Sequence, residues 1–183
     1  NHNRADNMPA SMADNIRRAL RAIPDYPKPG IIFQDITPVL NDGALFRQVR
    51  ETLAEPFRRV GITHVVGIEA RGFILAAPVA VTLGAGFIPL RKPGKLPWRT
   101  FRHEYQLEYG TDALEAHQDA CPAGARVLIV DDVLATGGTA EAAGALVRRA
   151  GGEVVGWSFL LAIGGLNGVG RLTGAPSHIV INL

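Results

Sequence analysis

The sequence predicts an α/β fold with a mostly parallel central sheet flanked by helices. Three observations carry that prediction. Short apolar runs alternate with segments of helical spacing, the pattern of βαβ units. One run, Val127-Leu128-Ile129-Val130, is unbroken and rich in β-branched residues, as a strand buried on both faces should be. The chain has 183 residues, 47% apolar and 20% charged, which suits one domain with a substantial core.

Residues 1–13 are polar, contain no apolar signal region and read as a disordered arm, with a single domain expected over 14–183. A helix is expected from an N-cap at Asp14, with Ile16, Ala19, Leu20 and Ile23 on one face. Pro24, Pro27, Pro29 and Gly30 stop it, and the short apolar run Ile31-Ile32-Phe33 follows, ending at Asp35. A second helix should start at Asp42 or Gly43, align Leu45, Val49 and Leu53, and be kinked or shortened by Pro56. Residues 64–68 read as a buried strand, 72–83 as an apolar helix bent or interrupted by Pro78, and 86–90 as the next strand. Residues 105–109 and 113–119 suggest an antiparallel excursion. After the strand at 127–130, a helix over 141–150 aligns Ala143, Leu146, Val147 and Ala150, and Gly151-Gly152 closes it. Residues 154–163 form another strand, and 177–182 an edge strand.

Charge and composition exclude several classes. The 19 Lys and Arg against 17 Asp and Glu leave a net charge of +2, which does not mark a nucleic-acid surface. That balance hides a segregation: Ala70 to His103 holds six basic residues and no acid, whereas Glu104 to Glu141 holds eight acids and one base, Arg126. Cys121 is the only cysteine, so neither an intramolecular disulfide nor a CxxC metal site is available, and a reducing compartment is expected. No apolar run approaches the roughly 18–20 residues that cross a bilayer. The histidines at 2, 64, 103, 117 and 178 show no metal-ligand spacing. A soluble, cytoplasmic protein is expected.

The chemistry concentrates in Val127 to Thr139. A buried strand runs out into Asp131 and Asp132, then into Ala135-Thr136-Gly137-Gly138-Thr139, then into a helix. The glycines let backbone N–H groups approach an anion at the helix N-terminus, and Thr136 and Thr139 add hydroxyl donors. That suits a phosphate monoester. Two adjacent carboxylates repel phosphate but accept hydrogen bonds from sugar hydroxyls. A sugar phosphate satisfies both halves; the plainer alternative is an acidic N-cap with a glycine turn. No Gly-Lys-Ser/Thr is present, so this is no Walker A loop, and Gly165 to Gly170 shares only composition with a dinucleotide fingerprint and reads as a mobile loop.

The segment resembles the phosphoribosyl pyrophosphate signature of type I phosphoribosyltransferases. Tyr26 to Thr37, Gly67 to Phe73, Arg91 to Pro97 and Leu107 to Asp112 resemble, in order and spacing, the members of that family that act on adenine. The resemblance implies the type I phosphoribosyltransferase fold with a flexible hood loop. It implies a reaction of adenine with phosphoribosyl pyrophosphate to give AMP and pyrophosphate, with Mg²⁺ held mainly through the substrate and no direct protein metal site. Asp131, Asp132 and 135–139 would bind the ribose and its 5′-phosphate. Arg71 would be catalytic and bind pyrophosphate, in a turn where a non-proline cis peptide is typical. Arg91, Lys92 and Lys95 match a pyrophosphate-binding basic loop, part of which the family contributes across a homodimer interface. Glu108 falls on the catalytic glutamate expected near adenine N7. Residues 97–106, with Trp98, Phe101 and Tyr105, and then Tyr109, would form the hood. Ile32, Phe33 and Gln34 would bind adenine, Phe33 by stacking; Gln34 stands where the family commonly has Arg.

Two other functions fit parts of the pattern. A transferase for a 6-oxopurine needs a donor aimed at O6, usually a lysine, and none follows Lys95. A non-catalytic regulator that senses phosphoribosyl pyrophosphate and binds nucleic acid needs a large basic face or a reading domain.

Overall fold

The computed structural model describes residues 11–107 and 110–183, which divide into two compact units between Val49 and Arg50. In the first unit, α1 (Met12–Ala19) starts on Ser11, whose Oγ accepts the Asp14 N–H at 3.1 Å. The cap therefore lies three residues ahead of the expected Asp14, within the span read as an arm. The helix also stops earlier than its apolar spacing suggests. Arg21–Pro24 is instead a strand, β1, paired antiparallel with β2 (Ile32–Asp35), so that Ile23 stands opposite Phe33. Two physical causes favour the strand. A residue before proline avoids the α region, and the Arg21 guanidinium meets the Asp35 carboxylate at 3.0 Å across the first rung. After α2 (Thr37–Leu40), α3 (Gly43–Ala54) begins where Asp42 Oδ1 accepts the N–H groups of Ala44 and Leu45 at 3.0 and 3.1 Å. Pro56 ends it in a 3₁₀ turn, Glu55–Phe57, since proline fits a first turn but not a helix interior.

The second unit continues with β3 (His64–Ile68), α4 (Arg71–Thr82), β4 (Gly86–Leu90), β5 (Thr100–Gln106), β6 (Thr111–His117), β7 (Arg126–Leu134), α5 (Gly138–Arg149), β8 (Glu153–Ala162), a 3₁₀ turn at Gly168–Arg171 and β9 (Ser177–Asn182). Five strands form one parallel sheet in the order β4-β3-β7-β8-β9. Its central strands bury Val65, Val66, Leu128, Ile129, Phe159 and Leu160 completely. Each such side chain contributes about 1.5–3 kcal/mol on leaving water. Helix α5 packs Ala143, Leu146 and Val147 into the same core. Pro78 does not interrupt α4. The carbonyl it leaves without a helical donor, that of Ile74, belongs to an exposed residue, where water can serve it.

Two differences from the sequence expectation matter for the site. Strand β7 does not end at Val130 but continues to Leu134, with Asp131 opposite Phe159 and Val133 opposite Leu161 on β8. The span expected as a hood loop is strand from Thr100, because β5 and β6 pair over seven rungs, Thr100 opposite His117 through Gln106 opposite Thr111. The chain leaves β3 for β4 on one side and later returns to β7 on the other. The carboxyl ends of β3 and β7 therefore flank the switch point at which parallel sheets bind ligands. No helix among the described residues is long and apolar enough to cross a membrane.

Candidate active site

Two turns meet at that switch point. The first follows β7. Gly137 adopts φ +89°, a left-handed conformation that glycine reaches without steric cost, and α5 begins at Gly138 with no side-chain cap. Thr136 Oγ1 accepts the Gly138 N–H at 3.5 Å. An uncapped first turn leaves backbone N–H groups and the positive end of the helix dipole for an anion. Asp131, Ala135, Thr136, Gly137, Gly138 and Thr139 line one small cleft there.

The second turn follows β3. The peptide between Glu69 and Ala70 is cis, in the turn where the resemblance implies such a bond, and Arg71 opens α4. Arg71 Nε lies 2.8 Å from Asp132 Oδ2, so the two turns are joined by an ion pair whose carboxylate is buried. Asp131 Oδ1 accepts the Asp132 N–H at 2.9 Å. Burial and then the neighbouring Asp132 charge push the Asp131 carboxyl well above the usual carboxylate range. A β-carbon at Gly72 would stand 2.7 Å from Asp131 Oδ1, so Gly72 is what lets α4 approach this carboxylate.

The basic residues after β4 are already paired. Glu69, which sequence reasoning passed over, holds two of them: Arg91 Nε at 2.9 Å from Oε1, and the Lys95 ammonium on Oε2. The Lys95 bond first, with Arg91 also contributing, keeps the Glu69 carboxyl below its ordinary range despite some burial. Glu69 Oε1 also accepts the Lys92 N–H at 3.4 Å, whereas the Lys92 ammonium bonds Asp112 and, at 3.2 Å, the Tyr105 hydroxyl. Tyr105 is buried on β5 rather than displayed on a loop, because its ring joins the core under the hairpin.

Residues Tyr105, Gln106 and Leu107 face Thr136, Gly138 and Thr139 across a cleft of about 540 Å³, which Leu166 and Arg171 also line. Glu108 and Tyr109, expected as the catalytic glutamate near adenine N7 and as part of the hood, lie outside the described residues. Ile32, Phe33 and Gln34 lie together on β2 of the first unit, Phe33 edge-on to Tyr26 with ring centroids 5.2 Å apart.

One support was not foreseen. The segment read as a mobile loop contains the 3₁₀ turn Gly168–Arg171, which packs against the cradle. A β-carbon at Gly137 would meet Gly168 O at 2.6 Å, and one at Gly168 would meet Ala135 O at 2.4 Å. Arg171 ties this turn to α5 through Glu141 at 3.2 Å. The available signal was the pair of glycines at 168 and 170, which marks close backbone approach as well as looseness.

Among the described residues no cluster of three His, Cys, Asp or Glu side chains could hold a metal by itself. Asp131 and Asp132 are the carboxylates at the cradle. Two carboxylates suit an ion that keeps several waters and takes its remaining ligands from a phosphorylated substrate, as Mg²⁺ does.

The chain matches the phosphoribosyl transferase domain family over residues 36–165. It is 56% identical over 162 residues to the adenine phosphoribosyltransferase of Myxococcus xanthus, covering 88% of each chain. The crystal structure of adenine phosphoribosyltransferase from Rhodothermus marinus superposes with a TM-score of 0.89 at 55% identity, covering 94% of this chain and 98% of that one. The Saccharomyces cerevisiae adenine phosphoribosyltransferase, solved with an imino-altritol bisphosphate and adenine, gives a TM-score of 0.88 at 38% identity, covering 93% and 98%.

Proposed function

The chain belongs to the phosphoribosyltransferase family, in its adenine branch, and we propose that it is a purine-salvage enzyme: it transfers the 5-phosphoribosyl group of phosphoribosyl pyrophosphate to adenine, giving AMP and pyrophosphate. The observation that carries the reading is the joining of an acid pair and an uncapped helix start in one turn at the switch point. That turn offers acceptors for a polyol beside donors for a phosphate, which is the polarity of a phosphorylated ribose.

In this reading the turn at 135–139 holds the 5′-phosphate, and Asp131 and Asp132 accept the ribose hydroxyls. The crowding that raises the Asp131 carboxyl is relieved when hydroxyl donors or a cation reach the pair. Asp131 and Asp132 would also be the protein's contribution to holding Mg²⁺, which when bound screens the charge that builds on the departing pyrophosphate. Arg71, Arg91 and Lys95 supply fixed positive charge for the same leaving group. Charge growing on pyrophosphate as the anomeric carbon becomes cation-like is where such fixed charges lower the barrier.

Glu108 is assigned the proton at adenine N7. Phe33 stacks on the base, and the backbone of Ile32 and Gln34 reads its edge, since a strand presents alternating donors and acceptors that match adenine N1 and N6. A backbone contact of this kind tolerates Gln34. The hairpin β5–β6 and Tyr109 exclude water from the cleft.

We also assign a homodimer and a cytoplasmic location. The dimer is supported by an exposed stripe on α4, Ile74, Ala77 and Val81 at helical spacing, with exposed Phe87 on the edge strand β4. Titration calorimetry of phosphoribosyl pyrophosphate with Mg²⁺ tests the site: Asp131→Ala with Asp132→Ala should weaken binding more than about tenfold, and unaltered affinity refutes the sugar assignment.

A further inference from the structure

The phosphate end of the site is short of positive charge. A phosphate monoester carries about −1.5 to −2 at neutral pH, whereas a helix start supplies only about half an elementary charge. Arg71 is held on Asp132 at the acid pair, and Arg91 and Lys95 are held on Glu69. Among the described residues that line the cradle and the larger cleft beside it, Arg171 alone is basic.

Arg171 closes the 3₁₀ turn Gly168–Arg171, and the next residue, Leu172, is buried in the core and pins it. The side chain leaves that turn beside the cradle: a β-carbon at Gly137 would stand 3.3 Å from Arg171 Cβ, and one at Gly138 would stand 3.5 Å from Arg171 Nη1. Glu141, in the first turn of α5, takes one edge of the guanidinium, with Nε at 3.4 Å from Oε2 and Nη2 at 3.2 Å from Oε1. That two-point grip fixes the plane of the group. It leaves Nη1 at Gly138 without a partner among the described residues, where the uncapped N–H groups of α5 begin. The pair also has an electrostatic reason. A carboxylate in the first turn suits the helix dipole but repels a phosphate bound there, and the Arg171 charge offsets that repulsion.

We propose that Arg171 is a binding residue for the substrate's 5′-phosphate: Nη1 donates to the phosphate held by the 135–139 turn, while Glu141 orients the guanidinium. The inference rests on the reading of that turn as a phosphate cradle. Arg171 is half-exposed, so its worth lies at the low end for a charged hydrogen bond, about tenfold in affinity. Calorimetry on the full chain, with ribose 5-phosphate and separately with Mg²⁺ and pyrophosphate, tests it. Arg171→Met keeps a stem beside Gly137 and removes the charge. It should weaken ribose 5-phosphate about tenfold and leave pyrophosphate within about twofold. Arg171→Lys keeps the charge and should stay within about threefold of the unaltered chain. In Arg171→Met the KM for phosphoribosyl pyrophosphate should rise about tenfold with kcat within about twofold, since the contact is made equally before and during reaction. Phosphorus NMR of bound ribose 5-phosphate gives a readout that a supporting role would not move. A fixed cation favours the dianion, so the second phosphate pKa should be higher in the Arg171→Met complex than in the unaltered one. Equal pKa values, or equal losses in the Lys and Met variants, make Arg171 a support of the turn and overturn the proposal. Weakened pyrophosphate with ribose 5-phosphate retained overturns it as well. No binding of ribose 5-phosphate by the unaltered chain removes the cradle reading, and the contact with it. Binding that depends on Arg171 in a chain that makes no AMP from adenine leaves the contact standing and removes the reaction.

Discussion

Gly168→Ala tests whether the turn against the cradle sets the geometry of phosphate binding. Gly168 has no left-handed φ, so alanine meets no backbone penalty there. The penalty is steric: the new methyl carbon would stand 2.4 Å from Ala135 O and 2.9 Å from Leu134 Cγ, against 3.4 Å for ordinary contact. Relief requires Ala135, the first residue of the cradle, to move by about 1 Å. Overpacking of this kind costs about 1–3 kcal/mol, and an ångström of misplacement at a binding group can cost about a hundredfold. We therefore expect a lower urea midpoint together with a KM for phosphoribosyl pyrophosphate raised between about tenfold and a hundredfold. Gly43→Ala is the control, because its added β-carbon has nothing within 4 Å and its φ is not left-handed. The assay is steady-state kinetics at saturating adenine beside urea denaturation. An unchanged KM with a lowered midpoint refutes the idea that Gly168–Arg171 supports the cradle.

Three further outcomes follow from the site. Asp131→Asn should raise the melting temperature at neutral pH while weakening phosphoribosyl pyrophosphate binding. The folded state raises this carboxyl above its unfolded value, so it binds more protons than the unfolded chain, and stability falls as pH rises through that window. The gain should vanish in acid, below the unfolded value, where the wild-type residue is protonated in both states; a gain independent of pH contradicts the assignment. Glu108→Ala should lower kcat by about a hundredfold or more while sparing phosphoribosyl pyrophosphate affinity, and unchanged turnover removes the proton-transfer role. Glu69→Gln should release Arg91 and Lys95 and tighten inhibition by pyrophosphate about fivefold; weaker inhibition means that Glu69 orients those cations rather than competing for them.

Much of the frame was legible because the physics was local. The runs at 64–68, 86–90 and 177–182 are strands at those bounds, since apolar stretches of that length bounded by turn residues have few other uses. The turn itself was legible for a related reason: the glycines and threonines after the acid pair fall where a strand runs out into a helix start, and they line one cleft there. What escaped depends on partners distant in sequence. Arg21–Pro24 looks helical by spacing and is a strand because Asp35 and Phe33 lie opposite. The extension of β7 through Asp131 and Asp132 depends on the β8 ladder beside it. The hood span 97–106 is irregular only as far as Arg99; from Thr100 it is strand, because it pairs rung by rung with β6, which extends the antiparallel excursion expected over 105–109 and 113–119. Glu69 carries no local mark and is seen only through Arg91 and Lys95, 22 and 26 residues away, while the glycines at 168 and 170 mark a close approach without naming Ala135 as its partner.

The segregated charge of the sequence also takes a sharper form. The 91–95 part of the basic stretch is not an open cationic surface, because Glu69 and Asp112 offset two of its three charges, leaving a modest positive excess there. Such a site favours a polyanion over a simple phosphate, since several weak cations act on it at once.

The most direct measurement is a product assay with labelled adenine, hypoxanthine and guanine, each supplied with phosphoribosyl pyrophosphate and Mg²⁺. The account predicts AMP and an equal amount of pyrophosphate from adenine, with little product from either 6-oxopurine. No AMP from adenine, or a faster reaction with hypoxanthine or guanine, contradicts it.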